Sequence, residues 1–230
     1  MYVDSLTLTN LRTFVKNKLR FVHPDSEFRL SKGDNDRNGL LLPPPKLRNV
    51  NLLLGDNGSG KTTVLQAIAL AALGPAARES QLPLRKFVRF PASGRQEGKK
   101  PPHEAAVSAT LRLHEQDGRP GEAIESSLSF RRMRELERLE FQEKGEWASL
   151  WEPVFESQND AFFCVAYGAT RRVDAGESSE RGAAPKTSFL RGQRLQSIFQ
   201  ESFALFPLGY WLPQVKAENP GRYSQVVRSW

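Results

Sequence analysis

The stretch Gly55-Asp56-Asn57-Gly58-Ser59-Gly60-Lys61-Thr62 constrains this chain more than any other. It satisfies G-x-x-x-x-G-K-[ST] and lies between an apolar run and a helical pattern. Val50 to Leu54 reads as a strand buried on both faces of a sheet. After the glycines, Leu65, Ile68, Ala69 and Ala72 recur at helical spacing, and Gly74-Pro75 supplies a stop. A strand, a glycine-rich turn and a helix in that order suit a loop whose backbone wraps a phosphate. Gly55, Gly58 and Gly60 leave room for the approach, because a Cβ would block it or forbid the dihedrals. Asn57 and Ser59 complete the loop, whose N–H groups and those of the first helical turn aim at a β-phosphate, with the helix dipole adding attraction. Lys61 is expected to bridge β- and γ-phosphate oxygens, the Thr62 hydroxyl to ligate the Mg2+ brought by ATP, and Thr63 to contact the α-phosphate. A turn that merely caps a helix has no need of Lys-Thr at these offsets.

The rest of the sequence is read around that loop. Tyr2, Leu6 and Leu8 open an N-terminal β-ribbon that continues in apolar pulses through Leu19, Phe21, Phe28 and Leu30. Ser31 to Pro45 reads as a surface loop ending in a rigid extended segment. Residues 76–104 hold seven Lys or Arg among loop-forming glycine and proline, and are expected to be irregular and partly mobile. The clearest β signal follows: Val107, Ala109, Leu111 and Leu113 alternate with polar residues, then Asp117-Gly118 turns the chain into Ile124, Ser126, Leu128 and Phe130. A third strand at Leu136 to Phe141 completes a meander. Ala161 to Ala166 reads as a central strand delivering the chain to Tyr167-Gly168-Ala169-Thr170-Arg171-Arg172. The aromatic-rich Ser188 to Trp211 reads as a helix ending before Pro207.

Composition removes several alternatives. The lone Cys164 cannot form an internal disulfide, and with His23, His103 and His114 far apart it makes a poor zinc set. No apolar run approaches the roughly 20 residues of a membrane span, and no apolar signal core opens the chain, so no membrane partner and a cytoplasmic location are expected. The net charge of +7 favours anionic partners such as nucleotides, nucleic acid or an acidic protein. The basic segment from Arg85 to Lys100 lacks the interleaved aromatics of a nucleic-acid platform and reads first as a solvated loop.

The sequence resembles the ABC-type and SMC/RecF-like ATPases, especially the RecF-like and OLD-like AAA-family proteins of bacteria. The resemblance rests on LTLTNLRTF (Leu6 to Phe14), on NLLLGDNGSGKTTVLQAIALAALGP (Asn51 to Pro75) and more weakly on AYGATRR (Ala166 to Arg172). It implies an α/β fold, a P-loop NTPase of ABC/RecF-like type with a mixed sheet and an antiparallel β lobe. Residues 1–230 would form one head, with a meander lobe over about 105–145 and a helical segment over about 188–230. It also implies that Arg12 sits beside the nucleotide phosphates, and that paired heads, as a homodimer or higher oligomer, sandwich ATP. An effector protein or nucleic acid would then engage the assembly. Tyr167 to Arg172 would be a nucleotide-side or interface loop, or a structural turn with solvated arginines.

Three parts of that pattern are missing. No four apolar residues are followed by Asp-Glu, as a Walker B element would be, and Glu152, Glu156, Asp160 and Asp174 all fall in loop-like context. No Leu-Ser-Gly-Gly-Gln signature occurs; Leu190 to Arg194 echoes it without the serine. No switch histidine follows. The catalytic residues are therefore unknown, and the expectation is an N-terminal part of a longer ATPase that binds nucleotide better than it hydrolyses it. The competing reading is a nucleotide-sensing scaffold without turnover; a small-molecule kinase stays open only through Arg171 and Arg172.

Overall fold

Alternation of leucine with serine and threonine makes β1 (Tyr2–Leu11) a strand with one dry face: Leu6, Leu8 and Leu11 are fully buried. The computed structural model describes residues 1–21, 50–78, 80, 82–90, 101–113, 122–133, 136–141, 164–169, 192 and 194–203, with single positions between 213 and 224. Arg12 and Thr13 turn the chain into β2 (Phe14–Arg20), whose Lys16, Lys18 and Arg20 are exposed along the sheet edge. Charges there discourage pairing with another chain. The part of the expected ribbon from Phe28 to Leu30 lies outside the described residues.

The meander is present as β3 (Glu104–Arg112), β4 (Ala123–Met133) and β5 (Leu136–Phe141). It joins the ribbon in one five-stranded sheet of order β2-β1-β3-β4-β5. Register aligns the apolar residues in rows: Leu8 faces Val107, which faces Leu128, and Val3 faces Leu111, which faces Ile124. The opposite face is hydroxyl-rich, with Ser5 bonded to Thr110 (3.2 Å) and Ser108 to Ser127 (3.3 Å).

Over the dry face lies α1 (Lys61–Leu73), touching β1, β3 and β4. Its burial runs almost all round: Ala67, Leu70, Ala71 and Leu73 are fully enclosed, whereas Leu65, expected inside, is 44% exposed. Gly74 ends it as expected, at φ 52° with its N–H turned back to the Leu70 and Ala71 carbonyls, and Pro75 opens a 3-10 turn (Gly74–Ala77).

Two expectations fail. Residues 50–54 form no strand, and Val50, Leu52 and Leu54 are 57%, 77% and 84% exposed. A doubly buried strand needs ladder neighbours on both sides, and none of the described strand ladders, all antiparallel, includes residues 50–54. Cys164 to Ala166 likewise form no strand, while Ala161 to Phe163 lie outside the described residues.

These elements belong to one compact unit, Met1–Arg78 with Leu84–Phe163; a second comprises Glu79–Pro83 and Cys164–Trp230. In the second, α2 (Gln196–Phe199) is a single turn, shorter than the expected aromatic helix because Gln200 is already extended (φ −133°, ψ 107°). Residues 204–211 lie outside the described ones.

Candidate functional site

The glycine-rich turn enters α1 directly, with Gly60 as its N-cap and Lys61 as its first residue. The Ser59 N–H donates to the Asp56 carbonyl (3.1 Å) and the Val64 N–H to the Gly60 carbonyl (3.0 Å), so the turn passes into the helix without a break. Gly60 has φ 97°, and a Cβ there would come within 2.7 Å of the Phe14 ring and 2.8 Å of the Thr13 hydroxyl. Only glycine tolerates both conditions. Gly58 also has positive φ, 83°, but faces open space. At Gly55 a Cβ would meet the Ser59 hydroxyl at 2.7 Å.

Lys61 folds over the loop, its Nζ donating to the Gly55 (2.7 Å) and Asp56 (2.8 Å) carbonyls. An ammonium carries three donors, so one is left for an incoming oxygen. Asn57, Ser59 and Thr62 are exposed and Thr63 is buried. The arrangement suits an anion: a fixed positive charge, a glycine turn held open, and the start of a helix three turns long. The exposed Thr62 hydroxyl offers one oxygen to a cation whose remaining ligands a triphosphate supplies. Among the described residues no cluster of three or more His, Cys, Asp or Glu could hold a metal by itself.

Arg12 lies in the turn that touches the loop through Thr13 and Phe14, but its guanidinium is engaged elsewhere. Nε donates to the Lys86 carbonyl (3.3 Å), and the group stacks 4.4 Å above the centre of the Phe87 ring. Burial lowers the Arg12 pKa, and the nearby Glu137 charge opposes that shift. Phe87 in turn stacks on Phe130, centroids 4.9 Å apart. Contrary to the reading of Arg85 to Lys100 as a basic segment without aromatics, Phe87 and Phe90 stand beside Lys86 and Arg89, and neither Phe87 nor Glu137 is marked by any local pattern. Residues 82–90 carry no helix or strand, as expected of an irregular stretch, yet Phe87 and Val88 are buried and Val88 is bridged to Leu11.

A family model described as AAA domain, AAA_23, matches residues 5–163. The chain belongs to the AAA_23 family. Its matched span contains β1 from Ser5 onward, β2 to β5, the phosphate loop, α1, Arg12 and Glu137, which bears out the resemblance to P-loop ATPase heads and the P-loop NTPase fold class. A search of curated proteins gives no match. One solved structure, described as "Structural biochemistry of ATP-driven dimerization and DNA stimulated activation of SMC ATPases", is similar at 17% identity and TM-score 0.39, over 73% of this chain and 87% of that one.

Tyr167 to Ala169 lie beyond the AAA_23 match, and Thr170 to Arg172 outside the described residues. Gly168 is packed so closely that a Cβ would stand 2.2 Å from the Ser197 carbonyl oxygen. Its N–H donates to the Ser197 hydroxyl (3.2 Å), which donates to the Ala166 carbonyl (3.0 Å). That glycine serves packing, as does Gly192 in the signature-like stretch, where a Cβ would stand 2.4 Å from the Ser80 carbonyl oxygen. Burial pushes the Cys164 thiol pKa up, away from thiolate chemistry.

Proposed function

We propose that this AAA_23 domain binds ATP with Mg2+ at the loop Gly55 to Thr62, and that binding drives pairing of heads or engagement of a partner. The observation that carries the reading is the Lys61 ammonium held over a turn whose Gly60 admits no side chain. Backbone N–H groups of Asn57 to Lys61 would hold the β-phosphate, Lys61 the β- and γ-oxygens, Thr62 the metal, and the amides near Thr63 the α-phosphate. Arg12 would add positive charge from the adjoining turn. The bound metal supplies charge neutralisation of the triphosphate; the chain supplies grip and orientation. No Asp-Glu pair occurs anywhere in the sequence to activate a water, so turnover needs a carboxylate from another source. The role proposed is cytoplasmic, in DNA metabolism or antiviral defence; the +7 charge supports an anionic partner such as nucleic acid, and an effector protein is the other candidate. A scaffold that senses ATP without hydrolysing it is the second reading, favoured by the missing Walker B string.

Calorimetry or isotope binding tests the site. Lys61→Ala removes charged hydrogen bonds worth about 1.5–3 kcal/mol, so ATP affinity should fall by about ten- to a hundredfold. The thermal midpoint should stay unchanged. Retained affinity would remove the site.

A further inference from the structure

Asn10 (φ 48°), Arg12 (φ 47°) and Lys86 (φ 58°) are the non-glycine residues with left-handed backbone among the described residues, and all three meet at one junction. Each such residue is strained, and persists only where its surroundings over-determine it. Here they do. The Arg12 N–H donates to the Phe87 carbonyl and the Arg89 N–H to the Asn10 carbonyl, both at 2.8 Å, tying the segment 86–89 to the end of β1.

The other edge of that segment is clamped from the meander. Glu137 of β5 accepts the Phe87 N–H at Oε2 (2.6 Å) and the Val88 N–H at Oε1 (3.2 Å), with its side chain only 7% exposed. Arg132 of β4 donates from Nη2 to the Val88 carbonyl (2.7 Å) and lies 3.9 Å from the Glu137 carboxylate. A buried carboxylate with two amides and a guanidinium is a directional, charge-assisted anchor. Hydrophobic packing alone would have held Phe87 without fixing the direction of its carbonyl.

We propose that Glu137, braced by Arg132, is a positioning residue for the nucleotide site: it fixes residues 86–89 so that the Lys86 carbonyl and Phe87 ring hold the Arg12 guanidinium, and with it the Thr13–Phe14 turn against Gly60. This rests on the reading above that Arg12 serves the bound nucleotide. The chain from β5 to the loop is continuous: Glu137, Phe87, Arg12, then Thr13 and Phe14 against Gly60.

A double-mutant cycle on the full 230-residue chain, read as the ATP dissociation constant, tests it. Glu137→Gln should weaken ATP binding several-fold, Arg12→Ala should do the same, and the double variant should be no weaker than Arg12→Ala alone. Glu137→Asp should restore part of the loss. Should Glu137→Gln fail to fold, Arg132→Gln, which frees the Val88 carbonyl, removes one brace and uncovers the Phe90 ring, takes its place in the cycle. Fully additive losses would overturn the proposal by showing that Glu137 acts on the fold at large; so would unchanged affinity of Glu137→Gln beside a weakened Arg12→Ala. Unchanged affinity of Arg12→Ala defeats the Arg12 reading and the proposal together, and a Lys61→Ala variant that still binds marks failure of the nucleotide site itself.

Discussion

The two flanks of the phosphate loop are built from the same kind of residue and end in opposite environments. After the loop, Leu70 and Leu73 are fully buried; before it, Leu52 and Leu54 are 77% and 84% exposed. A helix satisfies its own backbone and needs only a surface to lie on, which the leucine rows of β1, β3 and β4 provide. A strand cannot do this alone, because each N–H and C=O must find a partner on a neighbour. Apolar content therefore states what a segment would gain by burial, while burial itself depends on a neighbour being there.

That contrast can be broken at several points. Leu8→Ala, in the buried row with Val107 and Leu128, should lower unfolding free energy by about 2–5 kcal/mol in urea titration. A loss under about 1 kcal/mol would mean that the sheet face is not the core. Next in size, Gly60→Ala forces a side chain into a left-handed position against Phe14 and Thr13 and should cost about 1–3 kcal/mol together with much of the ATP affinity. A variant as stable and as tight as the parent would show that the turn beside Arg12 does not abut the loop. The smallest effect belongs to the exposed arm: Leu54→Ser should shift stability by less than about 0.5 kcal/mol. A shift matching that of Leu8→Ala would show the arm covered in solution and erase the difference between the flanks.

Much of this was legible beforehand. The loop, α1 with its Gly74 stop, and the strands of the meander follow from spacings of 3.6 and 2 and from glycine placement, all local quantities. Only the family resemblance singles out Arg12, and it says nothing of the groups that hold it. Lys86 and Phe87 lie 74 and 75 residues away in a stretch that reads as a basic loop, and Glu137 looks like any charged residue of a short strand. Their roles come from pairing across the sheet, which no local pattern encodes. The reading of residues 50–54 erred the other way, assigning burial from apolar content when only a neighbouring strand could supply it.

By itself, then, the sequence determined a glycine turn with lysine and threonine at the offsets a triphosphate requires, because that geometry depends on dihedral freedom and on residues adjacent in the chain. Tertiary structure alone decided that β5 reaches through Glu137 to Phe87 and Val88, the segment that holds Arg12, and that Leu52 and Leu54 ahead of the loop stand exposed. Both are outcomes of contacts between distant segments, which depend on where the whole sheet places each strand.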